Sequence, residues 1–567
     1  MPEKSSECPL QFHPDPYFRR DEYALLHGEW DFKITKQREF PSEYSKKIIV
    51  PFAVETKESG VGERVGKDDF LHYRKLFDSP FGQSKALLRF FFVDQVCDVY
   101  LNGAKLGHHE GGYLPFSFLV DLNEKENDLR VVVQDDVDSP IYPRGKQSKH
   151  PGNIWYTPTS GIYGSVLLEK IGEDFISSIK LHPDFDSKSL SIDISSSSPK
   201  PAHYRISLKG QTVLEGEYAT SIDCSSIFLP WTPEEPNVFD LDLSVGDDLV
   251  HSQFAFRKIG SVLSNGHRVL ALNDKPYFLS GVLDQGYWPS TGLTPPSLEA
   301  AKFDIVKMKE LGFNCLRKHI KVEMPFFYAL CDRLGMAVIQ DMVNAGAKYK
   351  TYLLLSAPFV SYRFDDTKQS TIKRLGRGEK RSRDFFVSTL PGYVDYFFNF
   401  PCILAYTLFN EGWGQFNSAE LTAKLASLDG NRLIDSCSGW YDQGAGDFDS
   451  HHVYFKKAKL HNDHKRILSL TEFGGYKLPL QGHIQGGASF GYGTVKDKDG
   501  LSKRIEDLYM GQVLPLKKEG LCVAIYTQLS DVEGEVNGLL TYDREILKVD
   551  GERIRKLNCL LREEDGE

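Results

Sequence analysis

Leu404-Ala405-Tyr406-Thr407-Leu408-Phe409-Asn410-Glu411-Gly412-Trp413-Gly414 is the stretch on which the fold turns. An apolar run suited to a buried strand ends in a carboxylate and passes at once into glycine-rich backbone. Arg466-Ile467-Leu468-Ser469-Leu470-Thr471-Glu472-Phe473-Gly474-Gly475 repeats the arrangement, with Glu472 in the place of Glu411. Parallel β/α barrels carry their chemistry at this position, the C-terminal end of a strand. Two carboxylates facing one another across a site are the minimum equipment for cleaving a glycosidic bond.

Outward from these two segments, strand-like runs alternate with helical ones from about residue 265, the signature of a parallel α/β sheet. The predicted strands are Tyr277–Val282, Cys315–Ile320, Ala337–Met342, Leu404–Phe409, Leu433–Ser438, His451–Tyr454, Ile467–Thr471 and Cys522–Gln528. The predicted helices are Leu298–Leu311, Pro325–Leu334, Asp384–Phe398, Ser418–Leu428 and Leu501–Leu514. Eight such units closing on themselves make a TIM (β/α)8 barrel over residues 260–567, with Glu411 and Glu472 ending its fourth and seventh strands. Before residue 257 helical periodicity is nearly absent. Short β-rich runs such as Leu87–Val93, Val96–Leu101 and Leu129–Gln134 alternate with turns, and Asn102-Gly103 is a hairpin signal, since a type I′ turn needs positive φ at both central residues. The reading is a multidomain chain: a jelly-roll β-sandwich over 1–170, an immunoglobulin-like sandwich over 171–259, then the barrel.

Bulk properties narrow the function. The 567 residues are 41% hydrophobic and 26% charged with net charge −10, which argues against a nucleic-acid partner. Nine dispersed cysteines with no C-x-x-C pair suit reduced core thiols rather than a disulfide framework or zinc site. Neither a signal-peptide-like N-terminus nor a membrane-spanning run is present, so a cytoplasmic location is the expectation. No cofactor or metal site stands out.

Around the carboxylates, Asn410 is placed to bond substrate hydroxyls, Trp413 to stack on a sugar face, and Gly412, Gly414, Gly474 and Gly475 to leave room for the ring. Arg317, ending the second strand, is expected to pair with Glu472 and keep it ionised. Tyr454 is a candidate partner of the same carboxylate. One of His451 and His452 is expected to face inward, with His452 the candidate. His319, Asp284, Asp341, Trp440, Tyr526 and Gln528 end other strands and are candidate sugar contacts. Residues 342–383 carry ten Lys/Arg against three acids, which could attract an anionic sugar or simply face solvent.

Asn410-Glu411-Gly412-Trp413-Gly414-Gln415-Phe416 resembles the acid/base motif of glycoside hydrolase family 2, and Thr471-Glu472-Phe473-Gly474-Gly475 is similar to its nucleophile motif. Leu101-Asn102-Gly103 with His109-Glu110-Gly111-Gly112-Tyr113-Leu114-Pro115-Phe116, Ser160-Gly161-Ile162-Tyr163-Gly164, Trp231-Thr232-Pro233-Glu234-Glu235-Pro236 and Asn273-Asp274-Lys275-Pro276-Tyr277 resemble successive segments of the same family. The resemblance implies that Glu472 attacks the anomeric carbon while Glu411 protonates the leaving oxygen and later activates water, with net retention. Two departures bear on the sugar. The Asn-x-Lys of the glucuronidase branch reads Asn537-Gly538-Leu539, and the His-Glu pair after strand one is replaced, the chain there reading Ser280-Gly281-Val282-Leu283-Asp284-Gln285-Gly286-Tyr287. A terminal β-galactoside is therefore the first expectation, followed by β-uronides and arabinosides. A transglycosylase and a non-catalytic carbohydrate-binding homologue are the alternatives. The resemblance also brings homo-oligomers into view without fixing a number.

Overall fold

The computed structural model describes residues 8–348, 350, 364–454, 457–458, 460, 462–486 and 489–563. Part of the basic stretch 342–383 lies outside the described residues.

Alternating apolar residues build the first unit as two facing antiparallel sheets, of six and four strands. Asn127–Gln134 lies between Phe70–Phe77 and Val96–Leu101, so that Val131 stands opposite both Tyr73 and Val99. These three are buried with Trp30, Phe32, Leu88, Phe90, Val166 and Leu168 between the sheets. Asn102 and Gly103 take φ of 51° and 83°, the positive pair the hairpin requires. The second unit sets three strands against four. In Phe239–Val245 every second side chain is buried, so a one-residue slip in pairing would expose the whole apolar set.

A small three-stranded sheet, Ile259–Ser264, His267–Leu272 and Lys275–Pro276, leads into the barrel. The barrel's eight parallel strands are Leu279–Asp284, Cys315–Lys318, Ala337–Asp341, Ile403–Asn410, Leu433–Ser438, Phe448–Val453, Ile467–Gly474 and Val523–Thr527. They are numbered one to eight below. Their hydrogen-bonded order is 5-4-3-2-1-8-7-6, an almost closed ring in which strands five and six lie side by side without a ladder among the described residues. Helices cover the outside. Leu298–Glu310 is capped by Ser297, whose side chain accepts from Ala300 N. Pro325–Leu334 starts on proline and ends at left-handed Gly335. Lys380–Phe397 begins four residues before the expected start, so that Lys380, Arg381 and Arg383 belong to a helix rather than a loop. Gly551–Arg562, which the sequence reading missed, buries Ile554, Leu557 and Leu561. None of the nine cysteines is in a disulfide, and eight are buried. Among the described residues no helix is long and apolar enough to cross a membrane.

Among the contacts that tie the sandwiches to the barrel, two sets lie at buried Asp332 and at the barrel mouth. At one, buried Asp332 accepts from the Tyr17 hydroxyl, from Gln253 Nε2 at 3.2 Å and from Cys402 N at 2.7 Å, while its carbonyl accepts from Trp231 Nε1 at 2.8 Å. At the other, residues 144–157 of the first sandwich lie on the barrel mouth. Arg144 N and Gly145 N both donate to Asn344 O, Tyr156 Oη donates to Glu535 Oε2 at 2.6 Å, and Thr157 N donates to Glu533 Oε1 at 2.8 Å. Gly145 has φ +59°, and a Cβ there would stand 2.6 Å from Ile320 O, so this approach admits only glycine.

Candidate active site

Glu411 follows strand four in left-handed backbone (φ 51°) and Glu472 lies within strand seven. The barrel brings an oxygen of each, together with a ring nitrogen of His452, within 4.8 Å of one another. Those three donors are close enough to share a metal ion, as are His483, Asp543 and Glu545 on the surface. In the first group each is already held by neighbours, described next.

Arg317, wholly buried, organises the floor. Its Nη1 donates to Glu472 Oε1 at 3.1 Å and to Thr471 O at 3.2 Å. Its Nη2 reaches Asn410 Oδ1 at 2.9 Å, and Nε and Nη2 together hold Asp341. The Tyr454 hydroxyl donates to Glu472 Oε2. Burial would raise the Glu472 carboxyl, but Arg317 and the Tyr454 hydrogen bond, with His452 and His319 when these are protonated, outweigh it and hold it down at about 2. Asp341 follows the same logic: burial is overcome by Arg317 and His319, leaving it at about 2. Burial pushes the His319 imidazole down, against the hydrogen bond from Nδ1 to Asp341 Oδ2 at 2.9 Å.

His452 is the inward member of its pair, with Nδ1 2.9 Å from Glu411 Oε1. His451 turns away and pairs with Asp449 at 3.1 Å. The half-buried Trp440 ring lies 5.9 Å from that of His452. Arg317, Asn410, Asp341, His319, His452, Tyr454 and Trp440 are thus all gathered around the two glutamates.

Five expectations are corrected. Asp284 faces the helical layer, accepting from Lys318 Nζ at 2.6 Å and Gly286 N at 2.8 Å, while Lys318 sits over the Phe327 ring of the helix Pro325–Leu334. Tyr526 stands opposite Val282, two residues from Asp284 and hence on the same outer face, where it packs on Phe473. Trp413 offers no free platform: it is 5% exposed, with the Arg144 guanidinium over its ring and Trp155 against its edge. The space beside Gly412, Gly474 and Gly475 is filled by Tyr441, Tyr526 and Tyr492, so these glycines make room for tyrosines. Gln528 acts one step back, donating to Asn537 Oδ1 at 2.7 Å, and Asn537 in turn donates to Glu535.

Sequence reasoning missed Tyr492, which stacks on Tyr454 at 4.0 Å, and Glu535. It also missed Lys146 of the first sandwich, whose charge acts on both His319 and Glu535. Among the described residues the Lys146 ammonium has no ion pair or hydrogen bond, only the Trp155 ring 5.9 Å away. No motif marks any of the three.

Residues 265–467 match the family model for the glycosyl hydrolases family 2 TIM barrel domain. A β-galactosidase of Thermoanaerobacterium thermosulfurigenes is 25% identical over 285 residues, 45% of this chain and 38% of that protein. A β-galactosidase large subunit of Latilactobacillus sakei is 22% identical over 384 residues, 64% of this chain and 57% of its own. The chain thus spans little more than half of these curated relatives at most. Among solved structures, a β-glucuronidase from an uncultured Clostridium sp. superposes with TM-score 0.73 at 18% identity, covering 94% of this chain and 97% of its own, and shares the fold. Barrel match, ordered motifs and shared architecture agree: residues 265–467 carry a glycoside hydrolase family 2 barrel domain.

Proposed function

We infer that the chain is a retaining, exo-acting β-glycosidase that removes a terminal sugar by double displacement, with a β-galactoside as first choice. The observation that carries this is the approach of the two carboxylates. Oxygens within 4.8 Å suit the retaining arrangement of about 5–5.5 Å and fall short of the roughly 6.5–9.5 Å that inversion needs for an intervening water.

Glu472, ionised and aimed by Arg317 and Tyr454, forms a bond to the anomeric carbon as the bond to the leaving oxygen breaks. Glu411 gives its proton to that oxygen. Water then attacks the glycosyl ester, Glu411 takes the water's proton, and Glu472 leaves as the carboxylate. Two inversions give net retention. Exo action is supported by the seam at Tyr156–Glu535 and Thr157–Glu533, which closes one side of the mouth.

A second reading, a β-uronide, is favoured by Lys146. Its ammonium, without an ion pair among the described residues, acts electrostatically on His319 and Glu535 and could replace the lysine absent after Asn537. Incubation with a 2-deoxy-2-fluoro aryl β-glycoside should trap an ester on Glu472, found by peptide mass spectrometry. Proton NMR of a turning-over substrate should show the β-anomer first. An α-anomer appearing first, or label on another residue, refutes the assignment.

A further inference from the structure

Beneath the carboxylates a line of side chains runs down the seam between strands five and six, where the backbone ladder is missing. Glu411 Oε1 lies 2.9 Å from His452 Nδ1, and His452 Nε2 lies 3.0 Å from Ser438 Oγ. Ser438 Oγ donates to Thr471 Oγ1 at 3.0 Å, and Thr471 Oγ1 is 2.6 Å from Ser450 Oγ. Ser450 Oγ donates to Asp435 Oδ2 at 3.0 Å. Every member below Glu411 is buried. The reaction as written uses none of them.

Proton counting gives this line a direction. An ionised carboxylate only accepts, and a hydroxyl has one proton to give. Ser450 gives its proton to Asp435, so it accepts from Thr471, which accepts from Ser438, which accepts from His452 Nε2–H. Competing contacts, Thr471 to His451 O and Ser438 to Ser450, are longer, both 3.4 Å. Arg317 Nη1 stands 3.4 Å from the same Nε2 but has Glu472 Oε1 and Thr471 O as nearer acceptors. His452 Nδ1 is then a bare lone pair facing Glu411 Oε1, a contact that is favourable only with a proton between them.

We propose that Asp435, acting through Ser450, Thr471, Ser438 and His452, fixes the Nε2–H tautomer of His452 and so keeps a proton on the line to Glu411. Asp435 and His452 are positioning residues for the acid step. Once Glu411 has protonated the leaving oxygen, the bare nitrogen opposite its carboxylate favours the return of a proton from the attacking water. Burial pushes the Asp435 carboxyl up to about 6, against Arg317 and the Ser450 hydrogen bond, so the direction is set above that pH. The other charged or titratable groups facing the line are Arg317 from strand two and His319 just after it, Asp341 from strand three, Glu472 from strand seven and Tyr454 after strand six.

The inference rests on reading Glu411 as the acid/base group, and the test separates the two. Imidazole 15N NMR at pH 7.5 should show His452 as the Nε2–H tautomer in the wild type and a tautomer mixture in Asp435→Leu. With substrates, Asp435→Leu should lose about 10- to 100-fold on alkyl glycosides, which need acid assistance. In kcat/KM it should lose less than about threefold on dinitrophenyl glycosides, whose leaving group needs no acid to form the glycosyl ester. Thr471→Val, which cuts the line midway without removing the carboxylate, should repeat both effects and serves if Asp435→Leu does not fold. An unchanged His452 spectrum in both variants, or equal loss on both substrate types, overturns the proposal. Wild-type protein that cleaves no glycoside overturns the functional reading instead, while the spectra still test the line.

Discussion

Replacing Arg317 tests the floor of the site. The side chain is wholly buried and satisfies Glu472, Asp341, Asn410 and the Thr471 carbonyl at once. Arg317→Ala would leave two buried carboxylates facing a void, and breaking a buried pair in this way costs about 3–5 kcal/mol of stability. Arg317→Lys keeps the charge but loses the planar fork, and is the better probe of chemistry. Glu472 held at about 2 rather than 4.5 corresponds to roughly 3 kcal/mol, shared among Arg317, Tyr454 and, when protonated, His452 and His319. Weakening Arg317 therefore returns Glu472 part of the way towards 4.5. The acid limb of kcat/KM should move upward in pH in the lysine variant. Losing aimed electrostatic support at the reacting centre should also lower kcat by about 10²–10³. Urea unfolding and a pH–rate profile between pH 3 and 8 with an aryl β-glycoside measure both effects. A lysine variant with undiminished kcat and an unmoved acid limb would refute the role.

Glu411→Ala should slow hydrolysis of poor leaving groups by about 10²–10⁴, and with a dinitrophenyl glycoside, which forms the glycosyl ester without acid help, added azide should restore turnover with a β-glycosyl azide as product; absence of rescue speaks against Glu411 as acid/base. Lys146→Met should lower kcat/KM for a β-uronide at least about tenfold and leave a β-galactoside within about threefold if the site takes a carboxylate; equal effects on both remove the uronide reading. Glu472 and Asp341 both have folded values below their ordinary ones, so they stabilise the fold above about pH 4.5, and this contribution is lost as pH falls towards 2. Thermal unfolding at pH 3 and 6 should show the loss in the wild type and a smaller one in Glu472→Gln.

Much of the barrel was legible because its strands are buried on both faces and read as apolar runs between helical ones. All eight expected strands overlap the observed ones, and Leu433–Ser438 and two helices have the expected bounds. Which side chains enter the lumen was harder to read. Register irregularities at His451/His452 and Leu470/Phe473 break the period-two alternation beside the reacting residues, so parity cannot be counted in from a strand's start. Asp284 and Tyr526 were misplaced for a related reason, since a residue at a strand end has even odds of facing the helices. Arg317 was readable because a buried cation at a strand end needs an anionic partner. Lys146 and Glu535 come from a loop of another domain and a long turn after strand eight, and local sequence does not record such tertiary placement.

The seating of residues 144–157 on the barrel mouth also divides labour within the chain. Bond-breaking groups sit on parallel strands, whereas part of the surrounding wall is borrowed from an antiparallel sandwich far upstream. On the function proposed above, sugar preference can therefore drift through changes in that sandwich while the two carboxylates stay untouched. Excising the barrel to obtain a minimal catalyst would discard that part of the wall with the sandwich cut away.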